Sequence, residues 1–191
     1  MRALILAGLA GATILAAVLV MGGMAWLWLG GFDAGAASHE SPIAARALRI
    51  ALNHQLELAE AATGSPPAPT GKSLIFGFRQ YDAECAACHG TPDEPRALWA
   101  RSLNPPAPDL TETPTRLSVK QLFWLICHGV QMTGMPAFGV QHTDRQISDL
   151  TLFVRALPNM KPQDYRSLRA TYGPAPQPFS LTPNAACLTA K

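Results

Sequence analysis

Charge is scarce along this 191-residue chain and nearly balanced: 15 Lys and Arg against 13 Asp and Glu leave +2 at pH 7. So small a net charge points to neither nucleic acid nor an acidic membrane surface as a partner. No stretch alternates apolar and polar residues as a half-buried strand would, and no internal repeat runs along the chain, so sheets and solenoids are not indicated. Cysteine is limited to four, and only Cys85 and Cys88 have the Cys-x-x-Cys spacing. The second half of a structural zinc site is therefore missing. The length allows one ordinary domain with accessory segments, not two large domains.

Charge is missing altogether from Ala3 to Phe32. That stretch exceeds the roughly 20 residues that cross a hydrocarbon core as a helix. Ala34-Gly35-Ala36 offers a small-residue cleavage site, yet a cleavable signal has an apolar run of only about 7 to 15 residues. Trp26 and Trp28 stand near its far end, where aromatic rings favour the boundary of headgroups and tails. Residues 1–32 therefore read as an uncleaved transmembrane anchor. Arg2 precedes it, and Asp33, His39 and Glu40 follow with no Lys or Arg before Arg46. This asymmetry places the bulk of the chain outside the cytoplasm.

Residues 33–70 read as a helix and a linker. Ser41-Pro42 supplies a cap residue and a proline at the first helical position, and Gly64 with Pro66-Pro67 ends the helix, which predicts a span of 42–62. Ile43, Ala47, Ile50 or Ala51, Leu58 and Ala62 make one side of it apolar. Such a side suits a membrane surface, the following domain or a partner subunit. Ser65 to Thr70 is a Pro-rich, semi-rigid linker. Residues 71–160 read as one all-α domain, with helices over 72–88, 119–129 and 144–157 and a loop with six prolines between Pro92 and Pro114. The Pro-rich segment 161–191 reads as an extended arm with little structure of its own.

Cys85-Ala86-Ala87-Cys88-His89 is the attachment pattern for c-type haem. Two thiols form thioethers to the porphyrin vinyl groups, and the adjacent imidazole turns onto the iron. The competing thioredoxin-like pair would need a βαβ setting that this chain lacks. A second axial ligand that favours ferrous iron is a thioether, and outside the anchor only Met132, Met135 and Met160 offer one. Met135 sits in Thr133-Gly134-Met135-Pro136-Ala137-Phe138-Gly139, where Gly and Pro impose a stiff irregular loop able to aim one sulfur inward. Met132 reads as loop packing and Met160 as filler. With His89 and Met135 on the two axial positions, the iron has no open site for a substrate. The expectation is an electron carrier with one covalent haem c, not an enzyme.

The region Gly71 to Pro158 resembles a class I cytochrome c domain. Gly77-x-x-x-Tyr81-x-x-x-Cys85-x-x-Cys88-His89-Gly90 resembles the family's first helix, Leu150, Phe153 and Val154 its last, and Trp124-x-x-x-His128-Gly129-Val130-x-x-Thr133-Gly134-Met135 its distal-methionine segment. The resemblance implies a helical fold around one haem, with Gly77 allowing the first and last helices to cross closely. It also implies that a proline carbonyl after the motif receives the N–H of His89, with Pro105 or Pro106 of Asn104-Pro105-Pro106-Ala107-Pro108 as candidates. The wider layout resembles membrane-anchored bacterial monohaem cytochromes. It implies a single-pass protein of the inner membrane with its haem domain in the periplasm. Redox partners would be a quinol-oxidising complex, a dehydrogenase or a terminal oxidase, with the chain acting as shuttle or as haem subunit. A haem-based redox or gas sensor is the alternative, and no signalling output is visible.

The sequence departs from the family in two places. Ser148 stands near a position where many relatives carry tryptophan, so Phe123 or Trp124 would have to supply packing there. Cys127 precedes His128 where relatives carry a polar or basic residue, and Cys187 is the one other cysteine. Two readings stay open: a disulfide pinning the tail to the domain, or two unconnected thiols. His39, His54, His128 and His142 read as ordinary histidines, with His128 and His142 flanking the methionine loop.

Overall fold

The structure is a computed structural model that describes residues 2–31, 35, 41–112, 116–173 and 186–189. Asp33, His39 and Glu40, which carry much of the orientation argument, lie outside the described residues, as does most of the Pro-rich tail. All elements among the described residues are helical. The chain divides into two units, residues 1–39 and 40–191.

The first unit is α1, Arg2–Trp28. Its Gly8–Trp28 portion is long and apolar enough to cross a membrane, and residues 8–28 are exposed.

The second unit begins with α2, Pro42–Ala62, with the predicted bounds and proline at its start, although the Ser41 side chain makes no capping bond. The face it buries differs from the expected one. Leu56 and Ala59 are buried and Ala45 and Leu52 half-buried, whereas Ile43, Ile50 and Leu58 are 80%, 61% and 50% exposed. The helix carries two apolar stripes on opposite sides, and periodicity alone does not choose between them. Polar contacts to α5, Val119–His128, select the inner one. Gln121 donates to the Leu56 carbonyl at 3.2 Å, Lys120 to the Glu60 carbonyl at 3.5 Å, and the Ser118 hydroxyl to the Glu60 carboxylate.

A continuous helical run follows: α3, Ser73–Gln80, a π-helical turn over Tyr81–Cys85, and α4, Ala86–His89. It stops at Gly90, whose φ of 79° suits a residue without Cβ. The run crosses α6, Asp144–Ala156, at Gly77, where an added Cβ would lie 2.1 Å from the Asp149 carbonyl oxygen. Any side chain there would force the helices apart, so the close crossing implied by the resemblance is present. Phe78, Tyr81 and Phe153 fill the crossing, with ring centroids 5.8 Å apart for Phe78 and Phe153 and 5.4 Å for Tyr81 and Phe153. Both α5 and α6 start on capping boxes, Ser118 with Gln121 and Thr143 with Gln146, which satisfy otherwise orphaned amides.

Two segments expected to lie outside the domain, a semi-rigid linker and an arm with little structure, are partly built into it. Pro67 accepts a 2.7 Å bond from Ser148, and Ala68 accepts one from Arg145, so the Pro-rich linker lies along α6. Ser148 thus holds the linker in place rather than leaving a space for Phe123 or Trp124 to fill. Residues 162–172 form α7, Pro162–Tyr172. Pro162 sits where its fixed φ starts a helix instead of breaking one. Tyr165 and Leu168 turn one side of α7 inward, with Tyr165 fully buried 5.3 Å from Phe78. Tyr165 and Arg169 also reach Asp82, each at 2.9 Å.

Candidate cofactor site

A cavity of about 300 Å³ lies between the α3–α4 run, the loop after it, α5 and the segment following α5. Cys85, Cys88, His89, Pro105, Pro106 and Met135 all line it. The rest of the wall is overwhelmingly aliphatic, including Leu103, Leu110, Leu122, Leu125, Ile126, Leu150 and Val154. Such a wall favours a large apolar ligand fixed by a few polar groups.

The thiols of Cys85 and Cys88 are free. Burial pushes the Cys85 thiol well above its ordinary value, the reverse of the lowered pKa that a thioredoxin-like exchange pair needs. Tyr81 bonds the Gly90 carbonyl at 2.7 Å and closes the turn after the motif.

His89 Nδ1 lies 2.8 Å from the Pro108 carbonyl oxygen. A carbonyl only accepts, so Nδ1 carries the proton and Nε2 keeps the lone pair for a metal. Burial holds the imidazole pKa below its ordinary value, against the opposing pull of the Pro108 bond. The ring is therefore neutral at pH 7, the form that ligates. The accepting carbonyl is Pro108's, not that of Pro105 or Pro106, which line the cavity instead. The loop is pinned close to that point: Arg96 bonds the Ala107 carbonyl, and the Leu110 amide bonds the His89 carbonyl at 3.4 Å. These anchors fix which carbonyl faces the ring, and no count of prolines reveals them.

On the other side, α5 ends at Gly129 with φ 64°, and a Cβ there would lie 2.5 Å from the Pro136 carbonyl group. The methionine segment folds back on itself at this point. Thr133 donates to the Val130 carbonyl at 2.7 Å and accepts from the Met135 amide at 3.1 Å, and the Val130 amide bonds the Met135 carbonyl at 3.2 Å. Met135 is half-buried. Met132 is 74% exposed, and Met160 lines a separate hollow against α7. Only Met135 among the three sequence candidates reaches the cavity.

The histidines flanking this segment point to other tasks. His128 stacks on Trp124 at 4.3 Å and bonds its carbonyl at 2.9 Å. His142 is buried and lies 3.1 Å from Glu84, which does line the cavity. The hydrogen bond to Glu84 raises the His142 pKa above its ordinary value.

Among the described residues, no cluster of three or more His, Cys, Asp or Glu could hold a bare metal ion. One imidazole, one thioether, two free thiols and an apolar wall instead fit iron already held in a porphyrin plane. Leu52 of α2 also lines the cavity, a residue that sequence reasoning missed because it lies on the stripe of α2 opposite the expected one.

Residues 76–154 match the family model described as cytochrome C oxidase, cbb3-type, subunit III. The matched segment is somewhat under half of the chain and contains the Cys-x-x-Cys-His motif, α5, the methionine segment and most of α6. No curated protein and no solved structure matches the chain.

Proposed function

We propose that this chain, whose residues 76–154 form a class I c-type cytochrome domain, is a membrane-tethered electron carrier of the periplasm with a single covalent haem c. The observation that supports this reading most is the convergence of Cys85, Cys88, His89 and Met135 on one apolar cavity. Bound haem supplies a one-electron ferric/ferrous couple. Cys85 and Cys88 would hold it through thioethers, each thiol adding its sulfur and hydrogen across one vinyl double bond. His89, oriented by Pro108, would hold the iron through Nε2, and Met135 through its sulfur. The aliphatic wall keeps water from the cofactor. With His89 and Met135 both available to hold the iron, the chain's part would be to bind, orient and insulate the cofactor.

The apolar helix α1 supports a tether that holds the carrier beside membrane-bound redox partners and raises their effective concentration. A quinol-oxidising complex or dehydrogenase would deliver electrons, and a terminal oxidase would accept them.

The test is spectroscopic, on the full chain purified from membranes in detergent. The wild type should retain haem under denaturing conditions, and its ferric form should show the weak far-red band of methionine-ligated iron. Met135→Ala should lose that band, gain rapid carbon monoxide binding when reduced and keep its haem, whereas Met132→Ala should match the wild type. Haem extractable by acid acetone, or carbon monoxide binding by the unaltered ferrous protein, would overturn the reading.

A further inference from the structure

The cavity wall is not made by the matched segment alone. Leu52 belongs to α2, which precedes residue 76, yet its side chain lines the same cavity as Cys85, His89 and Met135. α2 is fastened at its carboxyl-terminal half, where Gln121 and Lys120 bond the carbonyls of Leu56 and Glu60 and Ser118 bonds the Glu60 carboxylate. Leu56 and Ala59 are buried at the junction with α5. These bonds clamp α2 one turn beyond Leu52 and so fix where Leu52 meets the cavity.

We infer that α2 completes the haem pocket and that Leu52 is a haem-contacting residue that keeps water from the cofactor. The inference rests on the haem reading above. Its physical content concerns the balance of the two redox states. A ferric porphyrin core carries one more positive charge than a ferrous one, and a charged group loses more than a neutral one when water is removed from around it. A leucine that excludes water therefore favours the ferrous state and raises the potential, the lever of burial that haem proteins use. α2 is then a determinant of potential and not only an extension of the tether, and a chain lacking it would hold a wetter, lower-potential haem.

The experiment compares Leu52→Ala and Leu52→Asn with Leu56→Ala in the full chain, measuring midpoint potential by redox titration and thermal stability in parallel. Both Leu52 variants admit water without adding charge. Each should raise the ferric-to-ferrous ratio at fixed applied potential by about threefold, a downward shift of about 28 mV at 59 mV per tenfold for one electron. Leu56→Ala, which empties the α2–α5 junction and not the cavity, should lower stability at least as much and leave the potential unchanged. A wild-type potential in both Leu52 variants would overturn the inference, as would an equal shift in Leu56→Ala. Denaturant-resistant haem and the far-red band, recorded on every sample, separate these results from failure of the haem reading: without them in the wild type, that reading falls first.

Discussion

The two sides of the cavity are braced from behind by different pieces of the carboxyl-terminal chain, and by different chemistry. Behind the α3–α4 run stands α7, where Arg169 reaches Asp82 at 2.9 Å and Asp93 at 3.2 Å and Tyr165 packs among Phe78 and Phe153. Behind the methionine segment stands the short turn Ala186–Thr189. There Cys187 is bonded to Cys127 with the Cα atoms 6.4 Å apart, and an added Cβ on Gly139 would lie 2.5 Å from the Cys127 sulfur. Of the two readings left open for these cysteines, the structure has the disulfide. One brace is ionic and aromatic and responds to charge. The other is covalent and responds to thiol chemistry, which suits an oxidising compartment. Neither α7 nor the Ala186–Thr189 turn lies within the matched residues 76–154. The matched segment is thus stabilised by contacts from chain that follows it.

The comparison breaks most visibly at the covalent brace. The disulfide closes a loop with a sequence separation of 60, for which chain entropy predicts about 4 kcal/mol. The double variant Cys127→Ala with Cys187→Ala should lose about that much in urea unfolding, and the wild type in dithiothreitol should fall to a similar level. An unchanged midpoint would deny the disulfide a stabilising role.

Next comes the ionic brace. Arg169→Met takes the cation from two carboxylates that are nearly buried, with Asp82 8% and Asp93 4% exposed, leaving them their bonds from Tyr165 and Thr91. Removing one partner of a buried pair costs about 3 to 5 kcal/mol. Because Arg169 itself is 30% exposed, the loss should be near the lower end. Chemical denaturation of the variant and of Asp82→Asn measures it, and a double-variant cycle without coupling would remove the pair from the account.

The smallest effect is a dependence on pH at the contact between the two sides, where Glu84 of the α3–α4 run meets His142 after the methionine segment. The bond to Glu84 raises the His142 pKa above its unfolded value. The contact therefore contributes fully below about pH 6.5, the unfolded pKa of imidazole, and its contribution is lost as pH rises through the folded pKa. Glu84→Gln should cost about 1.5 to 3 kcal/mol at pH 5.5, the range for hydrogen bonds to charged groups, and less at pH 9. Equal losses at both values would mean that His142 is not charged in the fold.

The features legible in the sequence are those that act over a few residues or carry their own chemistry. Cys85 to His89 sets its spacing within one helical turn, and the loop around Met135 is shaped by its own glycine and proline. Gly77, Tyr81 and Phe153 pointed to a crossing only through their resemblance to the first and last helices of class I cytochromes c, and the structure has that crossing. The helix over 42–62 was readable from its end signals. Its buried face was not, because Ile43 and Leu58 make as good a stripe as Leu52 and Leu56. Pro162 read as a breaker for want of knowing that Tyr165 would find Phe78.

By itself the sequence determined the all-helical class, the Cys-x-x-Cys-His pattern, the methionine candidates and the long apolar amino-terminal segment, since helix signals, ligand chemistry and hydropathy are written in neighbouring residues. Only the tertiary structure decided that Pro108 and not Pro105 or Pro106 meets His89, that Cys127 joins Cys187, that α7 exists, and that Leu52 of α2 enters the cavity wall. Each of these depends on which distant surfaces meet, and that is set by packing and hydrogen bonds between elements far apart in the chain.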